Sequence, residues 1–354
     1  MIRNISKADQ LKNRLLDDIR SGIYRPGDVL PSLRTLAARY EMSKHTVSQA
    51  LSNLNELKIV EIAQGKTTRV RNNPFRKHIE VVYFGHGSVE SQEFWGEFYR
   101  GIAEEAEKDG GFTLTQTNCS RSRSGVDVEH FAPDRTCGML VLGTSYGEAF
   151  GELKRFGVPL LSLYDFSRES GVPFVTSRLE PVMELAVERF RERGCRRVGF
   201  VDIRQPNKNA AERTDGIDLF KQECACRKMI AAGIMPDESF VFPIEQADGG
   251  YELLHRLAVS GIVPDGLFLA SDVMALGVYR AAYELKLRIP EDLPVLGCDN
   301  LSGSRYMVPA LSSIELNRAG LGRAGFRQLA EFERQGTALS TVEFPAELVL
   351  RESF

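Results

Sequence analysis

Apolar positions change their spacing along the chain near residue 75. Before it they recur every three or four residues, and after it they gather into short continuous runs. Leu11, Leu15 and Ile19 mark an amphipathic helix of about three turns ending at Gly22. Leu33, Leu36, Ala37 and Tyr40 repeat the helical spacing, and Val47, Ala50, Leu51 and Leu54 do so again. Ser32 and Ser43 stand where a side-chain oxygen can accept from the orphan amides that open each helix. Only Glu41-Met42 lies between the two patterns, which leaves room for a tight angled turn. This predicts a helix-turn-helix. From Ile59 to Val70 two short strands are expected around Gln64-Gly65, a β-wing with a basic tip.

From Ile79 onward the texture differs. Apolar runs occur at Glu80–Gly85, Thr113–Thr117, Met139–Gly143, Pro159–Asp165, Val198–Ile203, Phe240–Ile244, Leu267–Asp272 and Val295–Asn300. Helical patterns separate most of them, for example at 92–109, 178–193, 248–260 and 273–286. Near-continuous apolar strands alternating with helices predict parallel sheets covered on both faces. The polar, proline-broken stretch Arg71-Asn-Asn-Pro74-Phe-Arg76-Lys77-His78 reads as a linker, with the boundary near residue 75.

Charge sharpens that division. The whole chain of 354 residues has a net charge of -3, but residues 1–78 hold 15 Lys and Arg against 7 Asp and Glu. The remainder holds 30 against 41, so a basic head sits on an acidic body, and only the head suits a nucleic-acid partner. No stretch approaches a membrane span and the first twenty residues are charged throughout, so a cytoplasmic protein is expected. Cys119, Cys137, Cys195, Cys224, Cys226 and Cys298 are scattered; Cys224-Ala-Cys226 lacks the second pair or histidine of a zinc site.

The second predicted helix of the head opens with Lys44, His45 and Thr46 and carries Ser48 and Gln49 opposite its apolar stripe. Donors at the start of a recognition helix can reach base edges and phosphates in the major groove. The run from Ile23 through Pro26-Gly27, Leu30-Pro31-Ser32 and Arg34 to Ser43-Lys44-His45-Thr46-Val47, with Gly65 in the wing, resembles the winged-helix domain of GntR-type bacterial regulators. The resemblance implies DNA-contacting roles for Arg34, Lys44, Thr46 and Gly65; Ser43, His45, Ser48, Gln49 and Lys66 complete the candidate set. Two positions depart from that family. Lys44 stands where arginine is usual, which removes a bidentate fork to guanine, and Thr67 replaces a second wing glycine.

The body is similar to the sugar-binding core of LacI-type regulators, itself similar to periplasmic binding proteins. The residues that carry this are Arg213-Thr-Asp-Gly216-Ile, Phe268-Leu-Ala-Ser271-Asp272-Val-Met274-Ala275-Leu-Gly277, Ile289–Asn300, Pro309–Ile314 and the tail Pro345–Ser353. The resemblance implies an α/β architecture: an N-terminal winged helix-turn-helix (1–75) and a two-lobed core of parallel sheets flanked by helices (79–354). One lobe would hold 79–175 with 313–337, the other 176–312 with 341–354, joined by three crossings. That family's own head and hinge helix are absent here.

Ligands of open α/β sheets bind beyond the carboxyl ends of strands. Those ends offer Ser88, Phe94, Trp95, Tyr146 and Asp165 in the first lobe, and Arg213, Ser271, Asp272 and Asp299 in the second. Carboxylate, guanidinium and hydroxyl groups can bracket a polyol while an aromatic face covers its C–H surface. Roles implied by the resemblance fall on Arg213, Asp272 and Asp299; plain helix packing weighs equally with a ligand platform for Trp95, and Arg178 reads as a surface charge. Gly320-Leu-Gly322-Arg-Ala-Gly325 spells a dinucleotide fingerprint but lies late in the chain without the strand and acid that should follow, so small residues in a packed helix are expected. Asp127-Val-Glu129-His130 reads as solvated loop.

These readings combine into a ligand-responsive DNA-binding regulator. It would be a homodimer on a palindromic operator, a repressor of sugar uptake or catabolism tuned by a small sugar-like effector, with no cofactor, metal or catalytic residue. A non-sugar effector is the nearest rival. An enzyme-like body, as in hybrids with an aminotransferase-like domain, needs a cofactor-bearing lysine motif that is not found.

Overall fold

A computed structural model describes residues 6–25, 27–57, 59–63, 67–71, 77–85, 87–122, 125–128, 136–143, 147–164, 171–201, 217–236, 247–261 and 263–354. They divide into two compact units: Met1–Lys77 with Gly110–Thr113, and His78–Asp109 with Leu114–Phe354.

In the first unit, helices α1 (Lys7–Arg20), α2 (Leu33–Arg39) and α3 (Lys44–Glu56) precede strands β1 (Val60–Ile62) and β2 (Thr68–Val70). The three helices close over one core of Leu11, Leu15, Leu36, Val47, Ala50, Leu54 and Val70. Each helix starts on a serine cap: Ser6, Ser32 and Ser43 accept from the amides of Asp9, Thr35 and Thr46. The turn between α2 and α3 is tight because Glu41 takes a left-handed conformation, φ 53°. β1 and β2 pair antiparallel with Glu61 opposite Arg69, and Val29 adds a bridge to Arg69. This is the expected helix-turn-helix with its wing.

The second unit holds two sheets. The first runs β14-β8-β7-β6-β3-β4-β5, from strands β3 (Lys77–Tyr83), β4 (Phe112–Ser122), β5 (Gly125–Val128), β6 (Thr136–Leu142), β7 (Leu160–Leu163), β8 (Phe174–Arg178) and β14 (Val342–Pro345). The second runs β10-β9-β11-β12-β13-β15, from β9 (Arg197–Val201), β10 (Met235–Pro236), β11 (Gly266–Leu269), β12 (Val295–Cys298), β13 (Ser312–Glu315) and β15 (Glu347–Val349). Central strands are buried along nearly their whole length, as β6, β9 and β11 show. Such strands need helices on both faces. Helices α4 (Glu93–Asp109), α5 (Gly147–Leu153) and α10 (Arg318–Gln335) pack in the first lobe. Helices α6 (Glu180–Glu192), α7 (Ile217–Ala231), α8 (Ala247–Ser260) and α9 (Val273–Leu285) pack in the second. Strands β14-β8-β7-β6-β3 and β10-β9-β11-β12-β13 pair in parallel, while β5 and β15 run antiparallel to β4 and β13.

Two details differ from the sequence reading. The crossings between lobes fall after β8, after β13 and between β14 and β15, so Arg178 and Val342–Pro345 join the first sheet while Ser312–Glu315 joins the second. Asp127 belongs to strand β5, opposite Ser120, and not to a loop: its run has too few apolar residues to announce an edge strand. Glu129 and His130, like the run Phe240–Ile244, lie outside the described residues. Of the α10 glycines, Gly322 lines a close helix crossing, while Gly325 packs on Leu163 and Leu140 of the sheet. A methyl on Gly322 would come within 2.1 Å of Phe98 O, and one on Gly101 of α4 within 2.0 Å of Ala319 O.

Candidate functional site: recognition helix and inter-lobe cleft

The α3 surface is set by its own periodicity. Val47, Ala50, Leu51 and Leu54 are buried, which turns Lys44, His45, Ser48 and Gln49 outward and leaves Thr46 half-buried. Ser43 has a second task, since its Oγ accepts from Thr46 N at 3.1 Å and meets Thr46 Oγ1 at 2.8 Å. Arg34 is exposed in the first turn of α2. Gly65 and Lys66 lie outside the described residues. Exposed basic and amide side chains in the first turns of α3 form a surface able to meet phosphates and base edges.

The core brings a different chemistry together. On the first lobe, Phe94, Trp95 and Phe98 of α4 cluster with Tyr164, which follows β7. Their ring centroids are 4.8 Å apart for Phe94 and Trp95 and 5.4 Å for Phe94 and Tyr164. Ser88 is exposed and opens the short turn Val89–Ser91. On the second lobe, Asp299 follows β12 and is 4 % exposed; its Oδ1 lies 3.2 Å from Lys221 Nζ of α7. Lys221 also donates to Ala270 O at 3.0 Å and sits 5.8 Å from the Tyr164 ring centre, so it reaches across from the second lobe to the first. Burial holds the Tyr164 hydroxyl far above the ordinary phenol range.

Asp272 is placed otherwise. Its carboxylate accepts from Ser304 Oγ at 2.6 Å, Ser313 Oγ at 2.7 Å and Leu301 N at 2.8 Å. Burial, and then the charge of Asp299, push its pKa up to about 7. It ties the start of α9 to the loop after β12 and to β13. Ser271, beside it, is also buried. Tyr146, Asp165 and Arg213 lie outside the described residues. Arg178 is exposed and pairs with Glu343 at 3.3 Å.

Sequence reasoning passed over Tyr164, Lys221, Asn300 and Arg318. Lys221 did carry a signal: it shares the buried helical stripe of Cys224, Ala225 and Met229, where a lysine needs a partner. Tyr164, Asp299, Asn300 and Asn317 all have positive φ, between 44° and 100°. Such strain in non-glycine residues concentrates at functional sites, and no spacing rule reveals it.

Residues 7–70 match the family described as bacterial regulatory proteins, gntR family, and residues 187–354 match the periplasmic binding protein-like domain. The chain thus joins a GntR-type DNA-binding head to a periplasmic-binding-protein-like core. Among curated proteins it is 24% identical over 318 residues to the HTH-type transcriptional repressor PurR of Haemophilus influenzae (strain PittEE), covering 88% of this chain and 90% of that one. It is 28% identical over 215 residues to a ribose operon repressor of Halalkalibacterium halodurans, covering 60% and 61%. The lac repressor dimer bound to operator and the anti-inducer ONPF superposes with TM-score 0.64 at 18% identity, over 78% of this chain and 94% of that one. A LacI family regulator from Enterococcus faecium with bound ribose gives 0.62 at 21%, over 78% and 98%. At these identities the structural likenesses establish the fold, a LacI-type core. The two curated relatives are repressors, not enzymes.

Proposed function

We propose that this GntR-headed regulator is a cytoplasmic transcription repressor that binds a palindromic operator as a homodimer and is tuned by a small sugar-like effector held between the lobes. The observation that carries this reading is the pairing of an exposed, capped recognition helix with a two-lobed core whose facing residues include buried charge. A ligand changes DNA affinity only by the difference in its own affinity for the two states of the protein. Contacts such as Lys221 over Tyr164, and Glu93 accepting from Ser302 N at 2.8 Å, exist only while the lobes are together. An effector that bridges the lobes would therefore favour one arrangement.

In this reading Arg34, Ser43, Lys44, His45, Thr46, Ser48, Gln49, Gly65 and Lys66 serve DNA. Ser88, Phe94, Trp95, Tyr146, Asp165, Arg213, Ser271 and Asp299 serve the effector. Asp272 is reassigned to holding the cleft floor, because its carboxylate is occupied by three protein donors. The dimer contact is assigned to the core. Val273, Leu276 and Tyr283 are exposed apolar positions on the outer face of α9, spaced by three and seven residues, a stripe that a second copy can cover.

Selection of bound DNA from a random pool, followed by gel shifts on the selected site, tests the proposal. A two-fold symmetric site, bound with an affinity that falls steeply with salt, is expected. Salt-insensitive or unselective binding would overturn it. Leu276→Arg should sediment as a monomer and lose affinity for the full site, and a dimer unchanged by it would move the interface elsewhere.

A further inference from the structure

We infer, resting on the regulator reading above, that the effector carries an anionic group, a carboxylate or a phosphate, and that Arg318 receives it. Arg318 is the first residue of α10, only 5 % exposed, with its guanidinium 5.2 Å from the centre of the Phe94 ring. One nitrogen, Nη2, makes a long contact of 3.4 Å to Asn300 O. The other two, Nε and Nη1, are buried without a hydrogen-bond partner. A guanidinium never sheds its proton in a protein, so a buried one without an anion is costly. Such a cost persists where the missing partner is a ligand.

The surroundings support this assignment. Arg318 lines a cavity of 740 Å³ between α4 and the loop after β12, beside Gly96, Asn300 and Ser302. Four carboxylates share the lining, and each is already engaged. Glu93 accepts from Ser302 N and Oγ, Glu315 from Asn300 Nδ2 and Asn317 N, Glu97 from Arg100, and Glu90 from the Tyr99 hydroxyl. None of them answers Arg318. Helix α10 begins without a side-chain cap bond and without an acidic residue in its first turn, so its amide end adds to the positive potential at the same point.

The other buried cation among the described residues, Lys221, is matched by Asp299 at 3.2 Å. The described part of the lobe-facing interior therefore has one cation answered within the protein and one unanswered. A neutral sugar could hydrogen-bond to Arg318 but would leave its charge uncompensated. A sugar acid or sugar phosphate would place its anion on the guanidinium and its hydroxyls among the polar groups of the same lining, and charge-assisted bonds of that kind are roughly twice as strong as neutral ones.

The test is thermal unfolding of the full chain at fixed pH and ionic strength, with chloride, inorganic phosphate, gluconate, glucose 6-phosphate or glucose as additive. The unmutated protein should be stabilised by phosphate, gluconate or glucose 6-phosphate relative to chloride and to glucose. The gluconate and phosphate arms separate carboxylate from phosphate, and glucose 6-phosphate against inorganic phosphate separates an ester from the free ion. Arg318→Met should lose that response, with affinity for the responding anion at least roughly tenfold weaker, while unfolding in chloride at the same or a higher temperature. Arg318→Lys should retain a weakened response, and Arg323→Met, five residues along α10 on an exposed pair with Glu104, a full one. Equal responses in the unmutated protein and Arg318→Met, including none in either, would overturn the inference. So would a marked loss of stability of Arg318→Met in chloride, which would make Arg318 a structural group. Selection of operator DNA by the unmutated chain is scored separately; its failure sinks the regulator reading, whereas an absent anion response with intact DNA binding sinks only this inference.

Discussion

The recognition helix and the cleft handle polar groups in opposite ways. On α3 Lys44, His45, Ser48 and Gln49 are exposed to water, and the bonds given to the polar face are short-range ones, Ser43 with Thr46 and Gln49 with Asn53. In the cleft, Lys221, Asp299, Asp272 and Arg318 are all at least nine-tenths buried. Exposed donors lose little by waiting for DNA, and they gain by releasing counterions from phosphates. Buried charges have lost their water on folding, so they are pre-organised, and each must be answered inside the protein or by a ligand. Loss of an α3 donor should therefore show in binding alone, while loss of a buried charge that the protein itself answers should show first in stability.

The largest effect should come from Lys221. Lys221→Met strands the buried Asp299 carboxylate, and breaking one side of such a pair costs about 3–5 kcal/mol. Removing the charge from both sides, Lys221→Met with Asp299→Asn, should recover most of that loss, because no unpaired charge remains and asparagine tolerates the 100° φ of Asp299. Urea unfolding of the two single variants and the double gives the coupling. A double variant as unstable as the two singles added together would mean that the pair is not a unit and that the comparison fails.

Asp272 should show next, through pH. Its pKa rises from 3.8 to about 7 in the folded chain, so between those values the folded state binds more protons than the unfolded one. Stability from this group is full below its unfolded pKa and is lost as pH rises through about 7, a total on the order of 4 kcal/mol. Asp272→Asn should remove that downward slope, whatever its constant offset. Unfolding of both proteins from pH 4 to 8 decides it: parallel curves would mean that Asp272 is ionised throughout.

The contrast also explains what was legible in the sequence. In the head, function follows from residues a few positions apart. The Ser43 cap, the Val47–Leu54 stripe and the outward Lys44 and Gln49 are all fixed by one helical period, so spacing alone placed them. In the core, strand and helix alternation gave the two sheets, but the site depends on pairs distant in the chain. Lys221 meets Asp299 across 78 residues, and Arg318 meets Phe94 only because α10 crosses α4. Asp272 was a motif residue, and motif membership alone could not distinguish a ligand group from a structural acceptor. Tyr164 was missed because its neighbour Asp165 drew the polar reading, while strained backbone and aromatic clustering leave no periodic trace.

Within the head, single losses should be smaller than those in the cleft and confined to DNA. Arg34→Ala or Lys44→Ala should weaken binding to the selected site by about 1–3 kcal/mol if the side chain reads a base. If it meets phosphate instead, the loss should be similar on all sequences and the salt slope should flatten by about one. Lys44→Arg should tighten binding to sites with guanine at the contacted position, since arginine restores the fork. Thermal stability should not move for any of these. A stability loss in Lys44→Ala as large as that of Lys221→Met would erase the distinction between the two regions.

The smallest effect separates the two tasks of Ser43. Its Oγ accepts from Thr46 N at 3.1 Å, so Ser43→Ala should cost about 1 kcal/mol of local helix stability, as lost caps do. Hydrogen exchange on the full chain should register this as lower protection in the first turn of α3, with the second half of the helix little changed. Ser43→Asp restores the cap, because a carboxylate accepts the same amide and suits the positive end of the helix. It also places a negative charge beside Lys44, on the face offered to phosphate. If Ser43 stands at the DNA surface, Ser43→Asp should regain the lost protection yet bind operator more weakly than Ser43→Ala does. Were Ser43→Asp to recover both properties, Ser43 would be a cap alone and would leave the DNA-contacting set.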